Sequence, residues 1–485
     1  MARTVIMGAG IAGHTAALHL RRMLPKEHEV VVVAPNSKWN WIPSNIWVGV
    51  GQMDTKQVTF PLAPIYKRKG IEFHQALATE LHGDGSAELP RPHITVKYTS
   101  PQRQGETAHL EYDYLINATG PKLNFAATPG LGPDGNSWSV CTAGHAEQTA
   151  KALAESIGKL KQGQPQTFLI GMGHGTCTCQ GAAFEYTFNV EDQLVKEGVR
   201  DRAEVIYITN ESSLGDFGMD GMNFGSKDGV VPSQMFTESL FAERGVKAIL
   251  AAHVERVEPG AVHYELLDGT KGEQRFDFAM LLPPFRGVDL TAYDAAGEDI
   301  TDQVFAPSGF MKVDADYSPK PYEQWEASDW PKTYQSVKYD NVWAAGIAFA
   351  PPHQMSRPQQ SPNGTMIAPA PPRTGMPSGV IGRAVAQTIA ERIKHGSAGR
   401  VHTASMAEMG AACIASAGTG WRDGKAAAMT VFPIIPDKRK YGESGRDTQE
   451  TYGEIGLSAH WMKVMLHHLF IYKAKARPFW YLIPE

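Results

Sequence analysis

The chain has 485 residues, 42% hydrophobic and 20% charged, with a formal net charge of −5. That length holds two or three domains, the composition is that of a globular protein, and the charge gives no reason to expect nucleic acid as a partner. Four cysteines are too few for a disulfide scaffold, and none of the 17 histidines pairs with a cysteine at zinc-ligand spacing, so no metal is assigned.

A glycine-rich turn begins at Gly8, which leaves no room for a charged segment followed by an apolar one, so no signal peptide is expected. No apolar run of about 18 residues occurs, so no membrane-crossing helix is expected either. "RTVIMGAGIAGHTAALHLRRML" opens the chain. Val5 to Met7 reads as a buried strand, a helix runs through about Leu24, and "HEVVVVAPN" is a second strand ending near Ala34. Between strand and helix lies Gly8-Ala9-Gly10-Ile11-Ala12-Gly13, a GxGxxG in the setting that dinucleotide binding requires. Gly8 permits the tight turn, Gly10 lets the backbone approach a pyrophosphate, and Gly13 allows close packing. The helix N-terminus faces the phosphates. The carboxylate that usually bonds the ribose is missing, and Asn36 or Ser37 is the expected substitute.

Two further strand ends favour FAD over NAD. "YDYLINATGPKL" ends in Ala118-Thr119-Gly120 and "NVWAAGIAFA" in Ala345-Gly346. "QTFLIGMGHGTCTCQGAAFEY" then repeats the strand–turn–helix order, with Gly171, Gly173 and Gly175 in the turn and "AEVIYITNES" as the next strand. This second Rossmann-like unit lacks the x-x-Gly ending, and Cys177 and Cys179 stand where its helix begins. A thiol at a helix N-terminus is expected to have a depressed pKa and to be nucleophilic. A long glycine-rich loop, residues 214–229, follows. These features argue against NAD(P)H and for sulfur chemistry.

The tail "GLSAHWMKVMLHHLFIYKAKARPFWYLIPE" reads as a helix from about Ser458 to Lys473, roughly 24 Å long at 1.5 Å per residue. Trp461, Val464, Met465 and Tyr472 share one face, and a basic cluster with Phe479-Trp480-Tyr481 follows. That pattern suits an amphipathic helix lying in a bilayer interface. A helix docked on the protein's own core and a dimer contact are the other readings.

Taken along nearly its whole length, the chain resembles the sulfide:quinone oxidoreductases of the flavin disulfide-reductase superfamily. The resemblance rests on "GAGIAG", "WNWIPSNIWVGVG", "ATGPKL", "CTAGHAE", "CTCQGAAFEY", "TNESSLGDFGMDG", "LLPPFRGV", "AAGIA", "PPRTGMPSGVIGRAVAQTI" and "AACIASAG". It implies an α/β fold of two Rossmann-like dinucleotide-binding domains with a membrane-associating C-terminal region. The expected domains are an FAD domain from 1–125 and 335–400, a second unit at 126–334 carrying redox cysteines, and a C-terminal region at 401–485.

The resemblance also implies the activity: FAD-dependent oxidation of sulfide to sulfur or polysulfide, with electrons passed to membrane quinone. Its three redox cysteines fall on Cys141, Cys179 and Cys413, with a disulfide or persulfide between Cys179 and Cys413. A two-residue slide would put Cys177 in place of Cys179. Cys141 either carries sulfur or holds FAD covalently. Glu185 and His145 are implied proton carriers, with a solvated helix carboxylate the other reading of Glu185. Thr374 and Gly375 join Gly346 at the cofactor. "LFIYK" places Phe470 and Lys473 at the quinone. A peripheral, monotopic membrane protein and a homo-oligomer are expected by the same analogy.

Three departures stand out. Where the family often has a histidine after the second-unit strand, this chain has Asp216. The family's Lys-Thr-Gly reads Arg373-Thr374-Gly375. Segments near 315–340 and 351–372 look inserted. Besides a non-catalytic flavin-binding sensor or assembly protein with vestigial cysteines, two rival readings remain. One is the flavoprotein of flavocytochrome c sulfide dehydrogenase. The other is a type II NADH dehydrogenase, which would need an intact second nucleotide turn.

Overall fold

The computed structural model describes residues 1–226, 229–373, 375–418, 422 and 424–485. The first sheet has the strand order Val342–Ala344, Tyr114–Asn117, Arg3–Met7, Glu29–Ala34, Glu72–His82, His93–Tyr98, Thr107–Glu111. Its first five strands run parallel and the last two antiparallel. The central strands are buried along almost their whole length, which is why they read as unbroken apolar runs rather than alternating ones. The chain returns to this sheet at Thr291–Tyr293, which pairs with Glu72–His82.

The second sheet is all parallel, in the order Val246–Ile249, Ala203–Ile208, Gln166–Met172, Phe278–Leu282. Each sheet therefore has the strand–turn–helix–strand topology expected of a dinucleotide-binding unit. An antiparallel sheet of Ala411–Ala417, Lys425–Val431 and Tyr452–Ile455 completes the fold. The tail helix spans Leu457–Ala474, within two residues of the predicted bounds.

Two packing facts position the site. Helix Gly375–His395 crosses helix Ile11–Met23 so closely that a Cβ on Gly382 would stand 2.5 Å from the Ala12 carbonyl oxygen. The C-terminal sheet docks on helix Gln180–Lys196, where Asn189 Nδ2 donates to the Ser416 carbonyl at 2.8 Å and the Ser416 N–H donates to Glu185 Oε1 at 3.2 Å. That docking carries Cys413 onto the thiol helix.

Gly8 has φ +102, and a Cβ there would meet the Ala118 carbonyl oxygen at 2.1 Å. Gly8→Ala is expected to cost at least about 1–3 kcal/mol from backbone strain. Urea unfolding of the variant beside the parent chain measures this, and equal midpoints would contradict the turn geometry.

Candidate functional site

The first glycine turn is built to receive a phosphate. A Cβ on Gly13 would meet the Gly8 carbonyl oxygen at 2.1 Å, so this pair closes the turn. A Cβ on Gly10, by contrast, would meet nothing within 4 Å. No side chain caps helix Ile11–Met23, which leaves its first-turn amides to a ligand. Ala118-Thr119-Gly120 lies alongside, with the Ala118 N–H donating to the Met7 carbonyl and Gly120 at φ +67 facing open space. Gly346, also at φ +67, lies against Ala12, where a Cβ would meet the alanine methyl at 2.6 Å. Asn36 and Ser37 are exposed just past the second strand, and Gly375 is the first residue of its helix. Thr374 lies outside the described residues. An open glycine, an uncapped helix and two further glycine strand ends fit the pyrophosphate and ring system of FAD.

The second turn is the opposite case. A Cβ on Gly173 would meet the Leu131 side chain at 2.5 Å, and one on Gly175 would meet the Met366 carbonyl oxygen at 2.5 Å. Residues 366–373 lie along this turn as a strap. The Ala368 N–H donates to the Gly175 carbonyl at 2.8 Å, the Ala370 N–H to the Cys177 carbonyl at 3.0 Å, and Thr178 Oγ1 to the Pro371 carbonyl at 2.7 Å. The segment that looked inserted thus fills the space a nicotinamide dinucleotide would need.

The strap ends at the thiols. Cys179 is the N-cap of helix Gln180–Lys196, in a left-handed conformation at φ +69, and its sulfur approaches the Arg373 carbonyl at 3.8 Å. Cys413 stands on strand Ala411–Ala417, facing the first turn of that helix. A Cβ on Gly181 would stand 2.5 Å from Cys413 Sγ, so only glycine admits the sulfur here. Cys141 is half-buried, and its thiol interacts with that of Cys179. Cys177 is fully buried, and its thiol donates to the Leu282 carbonyl at 3.1 Å. All four cysteines are free thiols.

Their acidity corrects the sequence reading. Burial raises the Cys179 thiol above its ordinary value, although the Arg373 charge pulls the other way. Burial pushes Cys141 and Cys413 up to about 12, with the Glu185 charge adding to the second. A helix N-terminus does not outweigh the loss of solvent here. Cys179 caps the helix in a left-handed conformation, and among the described residues its sulfur accepts no first-turn N–H bond that would stabilise the anion.

Glu185 is not a solvated carboxylate. It is buried on the thiol helix, where burial raises its pKa, and it pairs with Lys463 of the tail helix at 3.0 Å. His145 packs its ring edge against Phe125 at 5.9 Å, with Nδ1 buried and unpartnered among the described residues.

The predicted face of the tail helix holds in part: Trp461 and Met465 are exposed. Val464 is buried, and the exposed stripe is Trp461 (42%), Met465 (48%) and Leu469 (44%). The opposite face buries His460, Lys463, His467, Phe470 and Lys473. Its end is tied to the first unit by His14, whose Nε2 lies 2.7 Å from the Ala474 carbonyl oxygen. Phe470 stacks on Trp41 at 4.8 Å, and Lys473 pairs with Glu485 at 2.7 Å. Gly181, Lys463 and Trp41 were missed from the sequence. Only Trp41, within an aromatic-rich stretch, carried a signal there.

Residues 2–195 match the family described as pyridine nucleotide-disulphide oxidoreductase. The sulfide-quinone reductase of Aquifex aeolicus (strain VF5) is 28% identical over 471 residues, which cover 97% of this chain and 90% of that protein. The mitochondrial sulfide:quinone oxidoreductase of Dictyostelium discoideum is 23% identical over 71% of this chain and 64% of that protein. The X-ray structure of the sulfide:quinone oxidoreductase from Aquifex aeolicus superposes with a TM-score of 0.74 at 26% identity, covering 98% of this chain and 92% of that one. NDH2 of Plasmodium falciparum, at 12% identity and TM-score 0.62, shares the fold.

Replacing Lys463 by Met strands the Glu185 carboxylate in the core. The single change is expected to cost about 3–5 kcal/mol, and the Glu185→Gln/Lys463→Met double change much less. Urea unfolding of both variants decides this, and equal losses would contradict a buried pair.

Proposed function

We propose that this chain, a member of the sulfide:quinone oxidoreductase family, oxidises sulfide to sulfur or polysulfide and passes the electrons to quinone. The observation that carries the proposal is the seating of Cys413 against Gly181, two residues past Cys179, between an open first nucleotide turn and a filled second one. Gly8, Gly10, Gly13, Ala118, Thr119, Gly120, Gly346 and Gly375 would hold the cofactor, with Asn36 or Ser37 at its ribose. FAD, when bound, supplies a two-electron acceptor between thiols and quinone.

The residues divide the chemistry. Hydrosulfide attacks one sulfur of a Cys179–Cys413 bridge. A new S–S bond forms, the old one breaks, and its electron pair leaves on the other cysteine as thiolate. Because burial keeps these thiols protonated, the thiolate needs help beyond the helix end. Arg373 beside Cys179 and Lys463 beside Cys413 supply positive charge, and Glu185 holds the Lys463 ammonium in place. Cys141, which interacts with Cys179, is placed to accept the growing sulfur chain. Cys177 is spent on a backbone hydrogen bond, which favours Cys179 as the reacting thiol.

Quinone belongs at the Trp41–Phe470 stack, where a flat ring extends an aromatic column. Lys473, held by Glu485 and by the carbonyls of Ile483 and Pro484, fixes the floor of that region. Trp461, Met465 and Leu469, with Phe479 (67% exposed) and Leu482 (69%), present apolar surface that suits docking in a bilayer interface. Among the described residues, no helix is long and apolar enough to cross a membrane. The strap over the second turn disfavours an NADH dehydrogenase. The apolar stripe favours quinone over a haem subunit as acceptor.

Anaerobic sulfide should bleach the flavin absorbance and a short-chain quinone restore it, whereas NADH should do neither. Cys179→Ser and Cys413→Ser should each retain flavin and lose the sulfide response. Bleaching by NADH alone would overturn the assignment. Exchanging Trp461, Met465 and Leu469 for Ser should release the protein from sedimenting liposomes while leaving sulfide-driven bleaching intact. Undiminished co-sedimentation would remove the membrane role from this stripe.

A further inference from the structure

Glu211 follows strand Ala203–Ile208, where a dinucleotide-binding unit keeps its ribose carboxylate. Here it is only 1% exposed and turned inward. It accepts from the Phe217 N–H at 2.8 Å, Thr209 Oγ1 at 2.7 Å and the Tyr207 hydroxyl at 3.4 Å. Among the described residues it pairs with no cation. The Tyr207 hydroxyl also lies 3.4 Å from the Gln180 carbonyl, one residue past Cys179. The groups acting on Glu211 are Asp216 and Tyr207, and its own charge in turn acts on the Cys413 thiol.

The neighbourhood has two further features. Gln180 Oε1 is buried and unpartnered among the described residues, because the amide nitrogen is held by the Cys177 carbonyl and Asn210 Oδ1. A Cβ on Gly218, beside Phe217, would stand 3.5 Å from that oxygen. Asp216 lines a cavity of about 290 Å³ between loop 213–223 and residues 436–446, and there it accepts from Ser356 Oγ at 2.6 Å. Arg446 acts on Asp216 but is held by the carbonyls of Met219 and Gly221.

We propose that Glu211 holds the proton that sulfide releases at the thiol pair, and that Asp216 hands it to the cavity. This rests on the sulfide reading above. Hydrosulfide and the bridge give one protonated persulfide and one thiolate. The persulfide proton then moves to the Glu211 carboxylate, leaving a persulfide anion and a neutral acid, so charge and atoms balance. The Tyr207 hydroxyl, 3.4 Å from Glu211 and 3.4 Å from the Gln180 carbonyl, links this acceptor to the thiol turn.

Burial, with the like charge of Asp216, raises Glu211 to about 7. Carboxylate is therefore present above neutral pH and lost below it. The limiting rate of flavin reduction at saturating sulfide, where the substrate's own ionisation drops out, should rise with pH through that value. Glu211→Gln should be roughly 10²-fold slower and flat with pH. The variant should fold, because its carbonyl still accepts from Phe217 and the Thr209 and Tyr207 hydroxyls can reverse. Asp216→Asn removes the like charge, so its step should move to lower pH. Independently of turnover, iodoacetamide should alkylate Cys413 faster in reduced Glu211→Gln than in the parent chain, since a nearby negative charge is gone. A parent-like pH profile and unchanged alkylation, with sulfide still bleaching the flavin, would overturn the inference. Sulfide failing to bleach the parent protein would instead sink the sulfide reading, and this inference with it.

Discussion

Gly181 is the contact on which the site depends. Its missing side chain lets Cys413, delivered by a separate C-terminal sheet, come down on the first turn of the helix that Cys179 caps. Close approach has an electrostatic cost. Both sulfurs lose solvent, and both thiols become weaker acids than in water. The surroundings answer with cations placed one to a sulfur, Arg373 at Cys179 and Lys463 at Cys413. With both thiols raised by burial, thiolate is disfavoured in the resting protein.

The same cations tie the architecture together. Arg373 closes the strap that fills the second nucleotide turn, with Nη1 donating to the Ile347 carbonyl at 2.6 Å and the guanidinium over the Phe310 ring. Lys463 fastens the tail helix to the thiol helix through Glu185. A charge pair buried at such a junction fixes register more than it stabilises. The tail helix in consequence has an unusual polarity. Its buried face carries His460, Lys463, His467 and Lys473, while Trp461, Met465 and Leu469 face outward. An exposed apolar stripe of this kind is what interface-binding helices carry.

Much of this was legible in the sequence because it is local. Strand, glycine turn, helix and strand follow one another within about 30 residues in a βαβ unit, so the two units and the open turn at Gly10 could be read directly. The altered second turn was legible as a missing glycine, but its filling by residues 366–373 was not, since that depends on a distant segment folding back. Cys413 meeting Gly181 is likewise a product of sheet docking. Lys463 carries no local signal, since its partner Glu185 is 278 residues away in sequence. Part of the predicted face of the tail helix, Val464, is buried because the helix packs its polar His460, Lys463, His467 and Lys473 inward, which periodicity alone does not signal. The acidity of Cys179 was misjudged for a related reason: a helix end is visible in sequence, and burial is not.

Non-reducing peptide mapping by mass spectrometry, on protein taken before and after anaerobic sulfide, tests the thiol pairing directly. The peptides holding Cys179 and Cys413 are expected to be joined in the oxidised protein and to separate on reaction, one of them carrying an added sulfur, with Cys177 free throughout. A bridge through Cys177, or Cys179 and Cys413 remaining unlinked in active protein, would contradict that pairing.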